Sequence, residues 1–343
     1  VPENMKVELS LKVPGNNAVN YKLHPDKLEN SYFDYEWRSD NKLPITVFHK
    51  VEERDSCMRL TVQLTAAQDV YFNLSTGYRH DNCQFYMPGF WYRRNLRSPK
   101  KAPSFHTSDS WLVREDRLSA PLTGIFSEKE KRFMTVNRLD DFSMDALATH
   151  KEGEIILSGK TSLGFTGFEN QQGIAMLSFG FPYREAPKSY IRKLTLAPEV
   201  EAFQLMKKGE SVLLTWEIME SGADDFSDFI QHTWEHCYDT YAPKPVENSY
   251  SIADMKQVLS CFFVNSLVDN QPLVYNSGIH LKVSDCERNG QAEVGFIGRV
   301  LLNAFNAWEY GWQSNREELK VNSTKIFDEW FHTSGIFQGI REF

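Results

Sequence analysis

The spacing of hydrophobic residues changes near residue 221, and this change limits the possible folds more than any motif does. Before it, apolar side chains recur at every second position, most clearly over residues 58–65. Such alternation is typical of half-buried β-strands, and short runs of this kind, separated by Gly, Pro, Asn and Asp, continue up to residue 220. They predict two packed antiparallel sheets. Residues 207–210 predict a turn that joins the runs 200–206 and 212–218 as a hairpin.

After residue 221 the apolar residues recur with the period of a helix. A first helix is predicted to begin at a capping box formed by Ser221 and Asp224 and to end before Pro243. Three more begin near residues 251, 297 and 314. We expect the last two to form an antiparallel pair, because few residues join them.

These patterns predict an α+β multidomain fold. Residues 1–220 form an antiparallel β-sandwich, residues 221–250 a helical linker and residues 251–343 a helical domain of antiparallel pairs. No repeat is visible along the chain.

Charge and hydropathy exclude two classes of partner. The 38 Lys and Arg residues against 46 Asp and Glu residues give a net charge of -8, so no positive field is expected to hold nucleic acid. No apolar run approaches the ~18–20 residues of a membrane span.

No cofactor or metal is predicted either. The glycines at 290, 295 and 298 do not follow the spacing of a phosphate-binding loop. His232 and His236 are one helical turn apart, but the sequence shows no third ligand, and the five cysteines contain no C-x-x-C pair.

Aromatic residues make up 13% of the chain, which fits either a large sandwich core or rings that stack on sugars. They are concentrated in residues 85–122, where a long loop, residues 96–107, offers a binding segment. The predicted substrate-binding residues of this segment are Trp91, Tyr92, Asn95, Asp109, Trp111, Arg114, Glu115 and Asp116.

The run from Arg114 to Arg117 has two interpretations. Its side chains can clamp the hydroxyls or the carboxylate of a sugar. Alternatively, its opposite charges neutralise one another and anchor a loop.

A second candidate motif precedes the third helix. Glu293 is a candidate general acid or base, and Arg299 a candidate binding residue that holds its carboxylate. The alternative is that the pair is structural.

The layout, together with the run from Glu293 to Arg299 and the run Asn303, Ala304 and Phe305, resembles bacterial carbohydrate-active enzymes that join a super-β-sandwich to an (α/α) toroid. The resemblance implies a glycoside hydrolase that acts on a polysaccharide or oligosaccharide through a carboxylate pair, with carbohydrate as the partner and a periplasmic, secreted or cell-surface location. A non-catalytic carbohydrate-binding module and a polysaccharide lyase are the alternatives. This chain shows only the start of such a toroid, so we expect the principal catalytic pair to lie beyond Phe343.

Overall fold

The computed structural model describes residues 4–54, 57–80, 83–141, 144–145, 152–171, 174–265, 267–268, 273–275, 279–281, 286–288 and 299–333. The chain divides into two compact units, Val1–Pro243 and Lys244–Phe343.

The described residues of the first unit form seventeen strands, a 3₁₀ turn at Glu115–Arg117 and one helix. The strands are β1 (Met5–Lys12), β2 (Val19–Lys27), β3 (Tyr35–Arg38), β4 (Ile45–Arg54), β5 (Cys57–Ala66), β6 (Val70–His80), β7 (Gln84–Met87), β8 (Trp91–Arg93), β9 (Trp111–Arg114), β10 (Leu122–Ser127), β11 (Arg132–Arg138), β12 (Gly153–Ile156), β13 (Phe165–Gln171), β14 (Ile174–Phe181), β15 (Arg184–Arg192), β16 (Thr195–Met206) and β17 (Ser211–Gly222). The helix is α1 (Phe226–Tyr241).

These strands form two large sheets that share β2. Sheet I has the order β2-β1-β6-β14-β13-β9. Sheet II has the order β2-β3-β4-β5-β17-β11-β10-β7-β8. A smaller layer, β9-β15-β16-β12, continues from sheet I, and its β12–β16 pair is parallel, whereas the other pairs are antiparallel.

The inner faces of sheets I and II meet in one core. Phe85 of sheet II stacks on Phe168 of sheet I with ring centroids 4.0 Å apart. Phe179 of sheet I lies 5.1 Å from Trp216 of sheet II. The predicted β-sandwich is therefore confirmed.

Strand β5 shows how the alternation in the sequence supplies this core. Its side chains at Leu60, Val62 and Leu64 have no exposed surface. The residues between them, Thr61 and Gln63, are half-buried on the other face of sheet II. This two-sided pattern is the one that the alternation over residues 58–65 predicts.

The predicted hairpin at residues 207–210 is wrong. The turn itself forms, since the Glu210 N–H donates to the Lys207 carbonyl over 2.9 Å and Gly209 takes a φ of +81°. However, β16 pairs with β6 of sheet I, whereas β17 pairs with β5 of sheet II. A turn sequence shows where the chain reverses, but not which strands become neighbours, so this turn crosses between the two sheets.

Helix α1 begins later than its predicted capping box. Ser221 still belongs to β17 and pairs with Phe133, and the helix is capped by Asp225, whose carboxylate accepts the N–H groups of Ser227 and Asp228. The predicted end before Pro243 is confirmed, because α1 stops at Tyr241.

Helix α1 packs on the outer face of sheet II. The ring of Phe229 stacks over Phe126 at 6.0 Å and lies 5.0 Å from Phe133. Gly124 permits this approach, because a Cβ atom at that position would lie 2.6 Å from the Phe229 ring. The helix is therefore part of the first unit.

The second unit contains α2 (Ile252–Asn265), α3 (Arg299–Gln313), α4 (Glu317–Thr333) and four short strands, β18 (Leu267–Val268), β19 (Val274–Tyr275), β20 (Ile279–Leu281) and β21 (Cys286–Arg288). The capping box of α2 is present, since Ser251 and Asp254 each accept the other's backbone N–H. Ser314 does not cap α4; its hydroxyl instead donates to the Tyr310 carbonyl at the end of α3.

Helices α3 and α4 pack together through small and aliphatic residues, which confirms the predicted pair. Ala304 and Ala307 of α3 share a core with Leu319 and Ile326 of α4. The rings of Phe305, Trp308 and Trp312, which the sequence places on the buried side, are instead 48%, 36% and 59% exposed. Alanines allow closer helix approach than these rings would. The (α/α) toroid stays a prediction.

None of the described helices has the length and apolar character that a membrane crossing requires.

Candidate functional site

A surface groove with a cavity volume of about 690 Å³ lies at the end of β8 and in the loop that follows it. We call it the arginine groove. Its lining residues are Gln84, Tyr92, Arg93, Arg94, Asn95, Leu96, Arg97, Ser98 and Pro99. Two of the predicted binding residues, Tyr92 and Asn95, are among them.

The loop is held in one conformation by the side chain of Asn95. Its Oδ1 accepts the Tyr92 N–H at 2.9 Å, and its Nδ2 donates to the carbonyls of Phe90 at 2.8 Å and Pro103 at 3.2 Å. Arg93 and Asn95 both have a positive φ, of 59° and 47°. Such backbone is costly for residues other than glycine and is concentrated at functional sites. Asn95 therefore acts here by fixing the shape of the groove.

Arginine side chains supply the charge of the groove. The guanidinium of Arg93 lies over the Phe226 ring at 4.9 Å, and that of Arg94 over the Phe105 ring at 5.2 Å. Arg93, Arg94 and Arg97 are all exposed. Among the described residues, no carboxylate lies within ion-pair distance of any of the three, although Arg93 is near enough to Asp225 to help lower the pKa of that carboxyl, after the hydrogen bonds from Asp228 and Ser227. The N–H donors of the three arginines can therefore bind an anionic ligand in a bidentate manner.

Tyr92 adds an aromatic surface beside these charges. Its side chain is 50% exposed, although the ring also contacts Tyr86 at 5.4 Å and its hydroxyl accepts the Gly89 N–H at 3.3 Å. Leu96, which is 52% exposed, extends the apolar part of the lining. The groove thus combines an orientated ring with cationic donors.

The two tryptophans predicted to stack on a sugar cannot do so. Trp91 and Trp111 have no exposed surface and lie 6.2 Å apart in the sandwich core. Their indole N–H groups donate to the carbonyls of Arg93 at 2.8 Å and Ser108 at 3.0 Å. They bind the loop to the core, and their rings offer no face to a ligand.

The charged residues of the run from Arg114 to Arg117 form ion pairs both within the run and with other parts of the first unit. Arg114 donates two hydrogen bonds to Asp116, at 2.9 and 2.6 Å, and also pairs with Asp145 at 3.3 Å. Arg117 pairs with the buried carboxylate of Glu185. We call this region, together with Glu115 and its partners, the ion-pair anchor.

Glu115 is the most enclosed member of the anchor. Its carboxylate is 3.3 Å from Arg138 Nη1 and accepts the Gly164 N–H at 2.7 Å. Burial raises the pKa of Glu115 to about 7, against the opposing effects of Arg138 and Gly164. Its side chain has no exposed surface, which favours the structural interpretation of this run.

Asp109 is the remaining predicted binding residue of the first unit, and it does not line the groove. Asp109 is exposed, and its carboxylate accepts the Ser110 hydroxyl at 3.3 Å. Glu293 lies outside the described residues, and Arg299 is the first residue of α3. The role of Glu293 as a general acid or base, with Arg299 beside it, stays a prediction.

Sequence reasoning did not select Arg93, Arg94 and Arg97. The signal was present, because the three arginines have no acidic residue between them. Sequence reasoning also found no third ligand for His236. In the structure, Glu217 and Cys57 approach that histidine from neighbouring strands.

Comparisons with known proteins show similarity in structure only. No protein-family model matches the chain, and no curated protein matches it in sequence. One similar solved structure is a polysaccharide lyase, with 12% identity and a TM-score of 0.32 over 67% of this chain and 27% of that chain. Another is a GH36 alpha-galactosidase from Geobacillus stearothermophilus in complex with raffinose, with 10% identity and a TM-score of 0.36 over 63% of this chain and 30% of that chain. The chain spans less than a third of the length of either protein. Both are carbohydrate-active enzymes, and neither similarity assigns the chain to a family.

Proposed function

We propose that the protein is carbohydrate-active and holds an acidic saccharide in the arginine groove. The observation that supports this is the juxtaposition of three exposed arginines and the Tyr92 ring on a loop fixed by Asn95. Among the described residues, none of the nine that line the groove is acidic.

Each part of the groove matches one part of such a ligand. A guanidinium binds a uronate carboxylate or a sulfate through two parallel hydrogen bonds. The face of an aromatic ring packs against the apolar C–H face of a pyranose. The volume of about 690 Å³ lies within the range of small-molecule sites, ~300–1,000 Å³. The groove therefore suits one or two sugar residues of a longer chain.

Binding without turnover is the activity that the groove supports by itself. The finer proposal, a glycoside hydrolase that uses a carboxylate pair, places its acid or base at Glu293. Because the described lining of the groove contains no carboxylate, the groove would then hold substrate and not cleave it. A polysaccharide substrate would also favour a periplasmic or secreted location.

A polysaccharide lyase is the second candidate, because Tyr92 stands beside the arginines. A lyase needs a base and a positive group that neutralises the uronate carboxylate. Tyr92 would first lose its hydroxyl proton to solvent and would then take the proton at C5. A double bond would form between C4 and C5 as the C4–O bond breaks, and the departing oxygen would take a proton from the Tyr92 hydroxyl or from solvent water. Arg93 or Arg94 would neutralise the carboxylate.

The test compares acidic and neutral oligosaccharides by isothermal titration calorimetry. The groove variant is the triple substitution Arg93→Gln, Arg94→Gln and Arg97→Gln. Arg38→Gln is the matched control, because Arg38 is an exposed arginine of β3, at the other end of sheet II. We expect tighter binding of oligouronates, a loss of at least about 100-fold in the triple variant, and no change in the control. Equal binding by the triple variant and the wild type would exclude the groove.

Two product assays separate the enzymatic alternatives. New reducing ends without ultraviolet absorbance indicate hydrolysis, whereas absorbance from a C4–C5 double bond indicates elimination. Tyr92→Phe should abolish elimination while retaining the ring and most of the binding. Binding of an oligouronate without either product identifies a non-catalytic module.

A further inference from the structure

Three side chains with metal-binding atoms meet where α1 packs on sheet II. They are Cys57 of β5, Glu217 of β17 and His236 of α1, and their ligand atoms all lie within 4.8 Å of one another. None of them lines the arginine groove. The sequence separates Cys57 from the other two by more than 150 residues, so only the fold brings them together.

The register of β5 against β17 and the position of α1 explain why these three side chains lie together. Cys57 pairs directly with Met219, and Glu217 lies two residues earlier on β17, so both side chains point to the outer face of sheet II. Helix α1 covers that face through Phe229 and the buried Cys237. His236 lies next to Cys237 on the helix, at the edge of the contact, where its side chain remains 25% exposed.

The cluster converges on a single nitrogen atom. His236 Nε2 lies 3.7 Å from Cys57 Sγ and 2.7 Å from Glu217 Oε1. The Thr240 hydroxyl is 3.3 Å from the same nitrogen. A Cys-His-Glu catalytic triad would need the carboxylate on the other ring nitrogen, Nδ1. The arrangement therefore does not fit nucleophilic catalysis, and a hydrogen bond from Nε2 can satisfy only one of its neighbours well.

We propose that Cys57, Glu217 and His236 bind a zinc ion, with a water molecule or the Thr240 hydroxyl as fourth ligand. Zinc accepts this mixture of sulfur, nitrogen and oxygen ligands in tetrahedral geometry. The usual zinc–ligand bonds place neighbouring ligand atoms about 3.5 Å apart. The Sγ–Nε2 distance of 3.7 Å is already close to this value. The Glu217 oxygen, 2.7 Å from Nε2, must move away from the ring by less than about 1 Å, and it lies within 4.8 Å of Sγ.

Charge and access also suit the ion. Zinc binds the carboxylate form of glutamate, and a Glu217 oxygen already faces His236 Nε2 and the Thr240 hydroxyl. Zinc binding releases the Cys57 thiol proton to solvent and leaves a thiolate. The proton on His236 Nε2 leaves as well, so that the imidazole carries its proton on Nδ1 and Nε2 can bind the ion. Arg59 is the neighbouring positive charge, and it offsets part of the negative charge of the two anionic ligands. Because Cys57 and His236 are only partly buried, the ion can enter from solvent.

Such an ion would join α1 to two strands of sheet II. The sandwich provides ligands from β5 and β17, and the helix provides the third. Binding to the folded chain alone would stabilise the first unit.

The experiment uses the full chain after treatment with a chelator. We expect titration with Zn²⁺ to show one ion per chain, with a rise of several degrees in the unfolding temperature. Co²⁺ should give a thiolate-to-metal charge-transfer band and visible bands of a four-coordinate ion. Cys57→Ser should remove the thiolate band, and His236→Gln should weaken Zn²⁺ binding by at least about 10-fold.

Two control variants test the position of the ion. His232→Gln alters a histidine one turn away, which pairs with Asp228 at 3.5 Å. Cys83→Ser alters a second cysteine near a histidine, with its Sγ 3.2 Å from His80 Nδ1. Both should bind Zn²⁺ and Co²⁺ as the wild type does. Circular dichroism establishes that each variant is folded. The proposal is overturned if the wild type binds no Zn²⁺, or if a folded Cys57→Ser variant keeps the thiolate band.

Discussion

The arginine groove and the ion-pair anchor use the same residue type for opposite purposes. The groove arginines and Arg114 and Arg117 of the anchor belong to one stretch of the chain, residues 91–117. In the anchor, Arg114 and Arg117 each meet a carboxylate. In the groove, Arg93 and Arg94 rest on aromatic rings. The difference indicates that an arginine stays available to a ligand when the fold places no carboxylate in contact with its donors.

Burial separates the two regions as well. The side chains of Arg138 and Glu115 in the anchor are 2% and 0% exposed. The folded state depends on their pairing, because either group would otherwise be a buried charge without a partner. The groove arginines are exposed, so folding does not depend on their charge. Substitutions in the anchor should therefore change stability, and substitutions in the groove should change binding.

The sharpest test of this contrast replaces one arginine in each region. Arg138→Ala leaves the buried Glu115 without its partner, and we expect it to lower the free energy of unfolding by about 3–5 kcal/mol. Arg93→Ala should lower it by no more than about 0.5 kcal/mol. Urea unfolding at pH 8, followed by tryptophan fluorescence, measures both. A loss below about 1 kcal/mol in Arg138→Ala would remove the distinction.

A second test compares aromatic residues. Trp111→Ala empties a fully buried site and should destabilise the chain by about 3–5 kcal/mol. Tyr92→Ala removes a half-exposed ring, so its stability loss should be about 1 kcal/mol or less, while oligouronate binding falls about 10-fold. Trp111→Phe, a milder change, should fold and keep normal binding. A binding defect in Trp111→Phe equal to that of Tyr92→Ala would contradict the assignment.

The anchor should also give stability a pH dependence. Burial raises the pKa of Glu115 from 4.5 to about 7 in the folded chain. Between these values the folded state holds more protons than the unfolded state, so this carboxyl contributes stability at low pH that is lost as pH rises towards 7. The slope from one group is at most about 1.4 kcal/mol per pH unit.

The measurement compares unfolding from pH 4.5 to pH 8 in the wild type and in Glu115→Gln. The difference between their unfolding free energies should change across this window. Glu220→Gln, at an exposed carboxylate paired with Arg132, should follow the wild-type profile. A constant difference between wild type and Glu115→Gln would show that Glu115 does not titrate there.

Alternation in the sequence was sufficient for the strands of the sandwich, and the inward residues Leu60 and Leu64 follow directly from it. The short connection between the last two helices was sufficient for their pairing. The residues in that contact were less predictable, because Ala304 packs against Leu319 while the larger rings of α3 are exposed. Strand partners were not predictable, because β16 and β17 separate after a turn that looks like a hairpin. Neighbouring positions in the sequence do not determine which sheet a strand joins.

The candidate site was only partly predictable for a similar reason. The aromatic segment contains the loop that lines the groove, but its sequence does not show which rings are exposed. Tyr92 reaches the surface, whereas Trp91 lies in the core. The charges of Arg114 and Arg94 look alike in sequence. Both guanidiniums lie over an aromatic ring, Arg114 over Tyr183 and Arg94 over Phe105. Their roles differ because, among the described residues, only Arg114 also forms an ion pair, with Asp116 and Asp145.

The smallest expected effect separates the charge of a groove arginine from its shape. Arg94→Lys keeps the positive charge but loses the planar guanidinium that rests on Phe105. Oligouronate binding should weaken about 3–5-fold, because an ammonium group cannot form two parallel hydrogen bonds with a carboxylate. Arg94→Gln, which also removes the charge, should weaken it about 10-fold or more. Isothermal titration calorimetry at two salt concentrations distinguishes them, since only Arg94→Gln should reduce the dependence of affinity on salt. Equal losses in both variants would mean that the planar guanidinium matters and that its positive charge adds nothing to binding. The groove arginines would then resemble those of the anchor, which act through the geometry of their hydrogen bonds.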